Sequence, residues 1–210
     1  MKIGIPPEPQ REIAPAGSHY GVCCTVCDLG TQKSPYGVKR QLYLAWETPE
    51  EKTSKGKPHV LGKFYNLTGN ERGTLRQDLE SWYGKHFSKE EIAELDLIEA
   101  LLGRTATIGV MHAAPQGGRL RAQITSVMLP PRGKPPKTMP MTEPIAFGFE
   151  GDFDRHAYEA LPEWLKSIIS RSLEYQRLVN EGEDQGTTDE RLKRRLDKDD
   201  YNDLDDALPF

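Results

Sequence analysis

Three cysteines crowd into the stretch VCCTVC, and their spacing is the most direct suggestion of chemistry in the sequence. Cys24 and Cys27 have the CxxC spacing of zinc and redox sites, with Cys23 beside them and His19 nearby. A structural zinc site needs four ligands, and no second CxxC or HxxxH pair completes one. Redox CxxC motifs open a helix, whereas the flanking valines and threonine favour a strand. We therefore expect three core cysteines and no metal or other cofactor.

The sequence also lacks the common catalytic motifs. It contains no G-x-x-x-x-G-K-[ST] loop, no HExxH and no GxSxG. Most carboxylates of the first 150 residues fall on predicted helix surfaces, where solvated charge explains them. We expect a protein that is not an enzyme. A metal-dependent enzyme subunit that uses Cys24, Cys27 and His19 is a distant alternative, which metal analysis would test.

Lysines, arginines and tyrosines that alternate along the chain are the second candidate for a functional site. Whether their side chains lie close together depends on the strands and loops that carry them. Five segments have the composition or alternation of strands: YGVCCTVCDLG, VKRQLYLAWE, HVLGKFYNLT, TATIGVMH and LRAQITSVML. In the second segment Leu42, Leu44 and Trp46 share one face, and Lys39 and Tyr43 share the other. We expect Trp46 in the core.

Helices are predicted between the third and fourth strands and near the C-terminal end. Leu75, Leu79 and Trp82 are spaced as a buried helical stripe that ends at Gly84. A second helix is predicted from a capping box and the apolar residues behind it: Ser88, Glu91, Ile92, Leu95, Ile98 and Leu102, ending at Gly103. LPEWLKSIISRSLEYQRL predicts one more helix, which Trp164 helps to dock.

This order predicts a mainly β fold with helices: a five-stranded OB-fold barrel with helices between strands 3 and 4, an added C-terminal helix and a disordered acidic tail. The expected organisation is a flexible N-terminal arm (1–17), an OB-fold domain (18–150), a C-terminal helical extension packed on the barrel (151–179) and a flexible tether with an acidic tip (180–210). Other small β barrels and α+β sandwiches share this order of elements.

In an OB fold, strands 2 and 3 and two loops line the ligand groove. The residues expected there are Lys33, Tyr36, Lys39, Tyr43, Lys63, Tyr65, Arg119 and Arg121. Aromatic rings stack on bases and cations meet phosphates, a combination that suits single strands. The set therefore predicts single-stranded DNA binding, although each tyrosine could simply cover the sheet and each lysine simply solvate it.

Charge is distributed unevenly along the chain. Residues 1–150 carry 19 Lys and Arg against 16 Asp and Glu, whereas residues 151–210 carry 9 against 16, within a net charge of −4. No apolar run approaches the roughly 18 residues of a membrane span, and the first residues lack a signal sequence. We expect a cytoplasmic protein with no membrane partner.

The sequence resembles single-stranded-DNA-binding proteins. DLGTQKSPYG, LYLAWE, TLRQDLESWYGKHFSKEEI and LPEWLKSIISRSLEY, which span most of residues 16–176, are similar to a family encoded by tailed bacteriophages. The end of the chain is similar to the acidic tip of the bacterial family, with matching residues Asp205, Asp206, Leu208, Pro209 and Phe210, and Asp203 just before them.

The resemblance implies sequence-independent binding and protection of single-stranded DNA in phage DNA replication or recombination, in the host cytoplasm. It also implies that the tip, residues Asp203, Asp205, Asp206, Leu208, Pro209 and Phe210, recruits replication or recombination proteins. A homodimer or a cooperative array is compatible with a single short groove. The alternatives are an OB-fold protein-interaction hub and an RNA-binding module. A further hypothesis is that the acidic tail competes with DNA for the groove.

Overall fold

Five long strands and a short sixth carry the fold. A computed structural model describes residues 12–35, 37–114, 120–151 and 153–180. The strands are β1 (Gly17–Ser34), β2 (Gly37–Lys52), β3 (Pro58–Asn66), β4 (Thr105–Ala113), β5 (Arg121–Met128) and β6 (Ile145–Phe147). The helices are α1 (Thr74–Tyr83), α2 (Lys89–Ala93), α3 (Leu97–Leu101), α4 (Arg155–Glu159), α5 (Glu163–Ile169) and α6 (173–180). The predicted order of three strands, helices and two strands is confirmed, and β6 was not predicted.

The sheet has the strand order β3-β2-β1-β4-β5, with antiparallel neighbours, and β6 runs parallel to β1 at Thr25–Cys27. The edge strands β3 and β5 approach within 8 Å between Cα atoms. Among the described residues they share no hydrogen-bonded ladder, so the sheet is open by its hydrogen bonds.

The length and bending of β1 explain how one strand has two different neighbours. Its first part pairs with β4, from Gly17 to Val22, and its second part pairs with β2, from Val22 to Ser34. The β1–β2 register shifts after Cys23 and again after Asp28. Extra residues of this kind bend a strand and increase its twist. The sheet therefore curves around β1.

The concave side of the sheet holds the main core. Leu42, Leu44 and Trp46 are each at most 2% exposed, as their alternation predicts. Trp82 of α1 packs on Trp46 with ring centroids 5.4 Å apart, and its Nε1 donates a hydrogen bond to the Thr105 carbonyl (2.7 Å). Both tryptophans are core residues, because the helical stripe of α1 closes this side of the sheet.

The second predicted helix between the sheet halves is in fact two short ones. The Ser88–Glu91 capping box starts α2 as expected, but the helix ends at Ala93. The Asp96 carboxylate then accepts hydrogen bonds from the backbone N–H groups of Ile98 and Glu99 and starts α3. A short carboxylate side chain that competes for backbone donors favours a new helix start over a continuous helix.

The predicted C-terminal helix is also divided, into α5 and α6, where Ser172 caps the second segment through Tyr175 N (3.2 Å). Two polar contacts join this region to β1. Gln32 Nε2 donates to the Ile168 carbonyl (3.1 Å), and Glu174 accepts from Thr31 N (2.6 Å) and Oγ1 (2.5 Å). A second apolar cluster lies beneath: Cys27, Leu29, Phe147, Leu161, Leu165 and Ile169. Both faces of β1 are therefore covered.

The described part of the predicted N-terminal arm, residues 12–16, packs on the sheet. Ala14 is 1% exposed and its carbonyl accepts from His112 Nε2 (2.9 Å), while the Pro15 carbonyl accepts from His19 Nε2 (2.8 Å). Residues 12–16 are therefore attached to the sheet by these contacts. The tether and tip (181–210) lie outside the described residues. No helix in the described ranges has the length and apolar character of a transmembrane span.

Candidate nucleic-acid interface

The β1–β2 hairpin places its two predicted lysines on opposite faces. Lys33 pairs with Val38, and Lys39 pairs with Gln32, one position along the ladder. Directly paired residues share a face and successive residues alternate. Lys39 therefore lies on the convex face of the sheet together with Tyr43, while Lys33 lies on the other. Both side chains are exposed.

An aromatic cluster of Tyr43, Phe64 and Trp164 lies on this convex face. The Tyr43 ring centroid is 4.9 Å from that of Phe64 on β3 and 5.0 Å from that of Trp164 on α5. Burial raises the pKa of Tyr43 to about 12. Phe64 and Trp164 keep 54% and 46% of their surface exposed. The half-buried Tyr43 thus supports two rings that present open aromatic surface.

Lys63 and Tyr65 face the core side of β3, contrary to the sequence interpretation. Tyr65 is 3% exposed, and its hydroxyl donates to the Asp78 carboxylate of α1 (2.7 Å). Lys63 forms an ion pair with the same oxygen (2.6 Å). Burial, with Asp78 beside the ring, raises the pKa of Tyr65 far above its ordinary value. Both residues attach α1 to β3, and Tyr65 has no face free for stacking.

Arg121 is exposed at the start of β5, paired with Ala113. In the strand order three strands separate β5 from β3, so strand pairing does not bring Arg121 to the aromatic cluster. Tyr36, Arg119 and the six tip residues lie outside the described residues. Within the described part of the chain, Lys33, Lys39 and Arg121 form no ion pair, so their charges are available.

Sequence reasoning missed Phe64 as a binding residue and gave Trp164 only a docking role. The sequence contains a signal for Phe64. Leu61 and Leu67 have the same two-residue spacing as Lys63 and Tyr65, so the two leucines mark that side of β3 as the core side. Phe64 takes the opposite side by the same count. No sequence signal could place Trp164, because its position beside Tyr43 depends on how α5 packs on the sheet.

The cysteines are confirmed as core residues. Cys23, Cys24 and Cys27 have no exposed surface and are free thiols. Burial raises the pKa of Cys24 to about 11 and that of Cys27 to about 12. Among the residues that the structure describes, no group of three or more His, Cys, Asp or Glu side chains is placed to hold a metal ion.

The chain matches no protein-family model, and a search of curated proteins finds no significant match.

Proposed function

We propose that the protein binds single-stranded DNA without sequence preference, through the convex face of β2 and β3. The observation that carries the proposal is the aromatic cluster: two half-exposed rings, Phe64 and Trp164, supported by Tyr43 on a sheet face that also carries Lys39. Base–aromatic stacking contributes about 1–3 kcal/mol per base and tolerates every base. Unpaired lysines add phosphate contacts and release counterions.

The strand order supports an OB-type barrel as the scaffold. β1 pairs with both β2 and β4, the edges β3 and β5 approach each other, and α1 lies between β3 and β4 in sequence and packs under the sheet. In such a barrel the surface of the second and third strands is the ligand face.

The wider role that we propose is coating of exposed single strands during phage DNA replication or recombination, in the host cytoplasm. The acidic tip, from Asp203 to Phe210, would recruit partner proteins. The ring of Phe210 can fill an apolar pocket, and the Asp run steers the encounter. The protein would act by binding and not by catalysis.

A protein-binding hub is the second candidate, and one observation favours it. Val60, which lies on the same face of β3 as Phe64, is also 46% exposed. Exposed apolar surface of this kind is common at protein contacts. An RNA-binding module would use the same stacking surface.

The test is fluorescence titration of the intact chain with oligothymidine, with a single-stranded RNA of equal length and with duplex DNA, across a range of salt. The proposal expects tightest binding to the single-stranded DNA, with affinity that falls as salt rises. Preference for RNA would select the RNA-binding module. Preference for the duplex would exclude single-strand binding as proposed, and no binding to any of the three would favour the hub.

A further inference from the structure

A cavity of about 450 Å³ opens between the α2–α3 region and the sheet, away from the aromatic cluster. Its walls are partly polar, and the apolar side chains among them include Leu42, Leu67 and Leu79 on one side and Ile92, Leu95 and Ile98 on the other. Several of these side chains are only half-buried. The cavity thus leaves apolar surface uncovered in a form that aliphatic side chains could fill.

The rim of the cavity is acidic. Asp96 and Glu150 line it, and two arginines that also line it are already bound to carboxylates: Arg40 to Asp28 and Arg76 to Glu80. The neighbouring segment 89–99 (KEEIAELDLIE) carries five carboxylates and one lysine. An occupant should therefore combine aliphatic side chains with positive charge.

One segment of this chain has that chemistry. Residues 191–196 (RLKRRL) carry four cations and two leucines, Leu192 and Leu196, at the i, i+4 spacing that shares one helix face. We propose that this segment binds the cavity of its own chain, with the two leucines inside and the cations on the acidic rim.

The attachment of the C-terminal region places this segment within reach. Glu174 binds Thr31, which pairs directly with Arg40 at the cavity. From residue 180, where α6 is last described, twelve residues lead to Leu192, and an extended chain of that length spans about 40 Å. The segment can therefore fold back to the rim.

Other parts of the chain fit less well. Glu12 is bound to Ser54, just beyond the end of β2 at Lys52. Arg40, which lines the cavity, lies twelve residues from Lys52 along β2, a distance of about 40 Å at the usual rise per residue. Ile5 lies seven residues before Glu12 and reaches about 25 Å from it. The aspartates of the acidic tip would be repelled by the rim.

This docking does not depend on DNA binding, and its consequence concerns the tip. With residues 191–196 held, six residues separate the anchor from Asp203, so the tip is kept close to the body of the protein. A partner that pulls on the tip, or high salt, would release the segment.

Limited trypsin digestion tests the proposal, because trypsin cleaves after Lys193, Arg194 and Arg195. Ala93 lines the cavity and is exposed, so Ala93→Trp should fill the entrance without unfolding the protein. Cleavage after these residues, followed by mass spectrometry, should become at least about fivefold faster, since proteolysis follows the population of the open state. Ala160→Trp, at an exposed alanine outside the cavity, is the matched control and should leave the rate unchanged. Equal rates in wild type and Ala93→Trp would overturn the proposal.

A cross-link provides the second measurement. The native thiols are buried, so the pair Ala93→Cys and Leu196→Cys should form a disulfide within one molecule under mild oxidation. Cross-linking only between molecules, or none at all, would contradict docking within the chain.

Discussion

The phenol ring of Tyr43 lies directly on the backbone of Gly62, its diagonal neighbour on β3. A Cβ atom at position 62 would stand 1.9 Å from the Tyr43 hydroxyl oxygen and 2.3 Å from the ring carbon that bears it. Only glycine at position 62 leaves room for the Tyr43 ring, and in this position the ring contacts Phe64 and Trp164. The backbone of β3 therefore sets the position of the aromatic cluster.

Gly62→Ala should displace Tyr43 and weaken single-strand binding. The clash involves a ring that is half-buried between Phe64 and Trp164, so the added methyl should also cost about 1–3 kcal/mol of stability, as overpacking does. Denaturant unfolding and oligothymidine titration measure the two effects. Gly148→Ala is the control, because its Cβ would meet Ile98 at an ordinary 3.7 Å.

A double-mutant cycle makes the assignment specific. The double variant Gly62→Ala/Tyr43→Ala should bind no more weakly than Tyr43→Ala alone, because the clash needs the ring. If the two losses of affinity simply add, Gly62 acts on binding by some route other than Tyr43.

Removal of the exposed ring of Phe64 or Trp164 should weaken single-strand binding, whereas removal of the buried Tyr65 hydroxyl should not. Phe64→Ala and Trp164→Ala should each lower oligothymidine affinity by about 1–3 kcal/mol, with little dependence on base sequence. Tyr65→Phe should instead lower the free energy of unfolding by about 1 kcal/mol, because it removes the donor to Asp78. Wild-type affinity in the Phe64/Trp164 double variant would show that DNA binds elsewhere.

The salt dependence should separate Lys39 from Lys63. Lys39→Ala should lower the slope of log K against log salt by about one unit if Lys39 contacts a phosphate. Lys63 is held by Asp78 at 2.6 Å on the core side of β3, so Lys63→Ala should leave the slope unchanged and reduce stability. Equal slope changes in the two variants would contradict the assignment of faces.

The buried thiols should make the protein less stable in alkali. The ordinary cysteine pKa of 9.0 applies to the unfolded chain, whereas burial raises the pKa of Cys24 to about 11 and that of Cys27 to about 12. The unfolded state therefore loses these protons first. The stability that the neutral, buried thiols provide is complete below pH 9 and is lost as the pH rises toward 11–12. Cys24→Ser/Cys27→Ser should flatten the fall in unfolding free energy, measured between pH 8 and pH 10.5.

Truncation of residues 197–210 tests competition between the tail and DNA. This change removes six aspartates and one lysine, so the remaining chain gains five units of positive charge. Single-strand affinity should increase, most visibly at low salt, where the Debye length is long. Unchanged affinity at 50 mM salt would exclude the competition and leave recruitment of partners by the tip open.

Alternation predicted the strands well where one face is buried, as in β2 with Leu42, Leu44 and Trp46 and in β4 with Ala106, Ile108 and Val110. The faces of β2 were assigned correctly from Leu42, Leu44 and Trp46. The faces of β3 were assigned wrongly, since Lys63 and Tyr65 were taken for surface residues. A lysine and a tyrosine can both lie on the core side of a strand when a single carboxylate, Asp78, binds them.

The amino-acid sequence by itself determined the order of the elements, the core positions of Cys23, Cys24, Cys27, Trp46 and Trp82, and the capping box of α2, because these depend on local periodicity and local hydrogen bonds. The tertiary structure decided which aromatic rings are exposed and which neighbours they have. Trp164 meets Tyr43 across more than a hundred residues of chain, and only the packing of α5 on the convex face brings the two rings together.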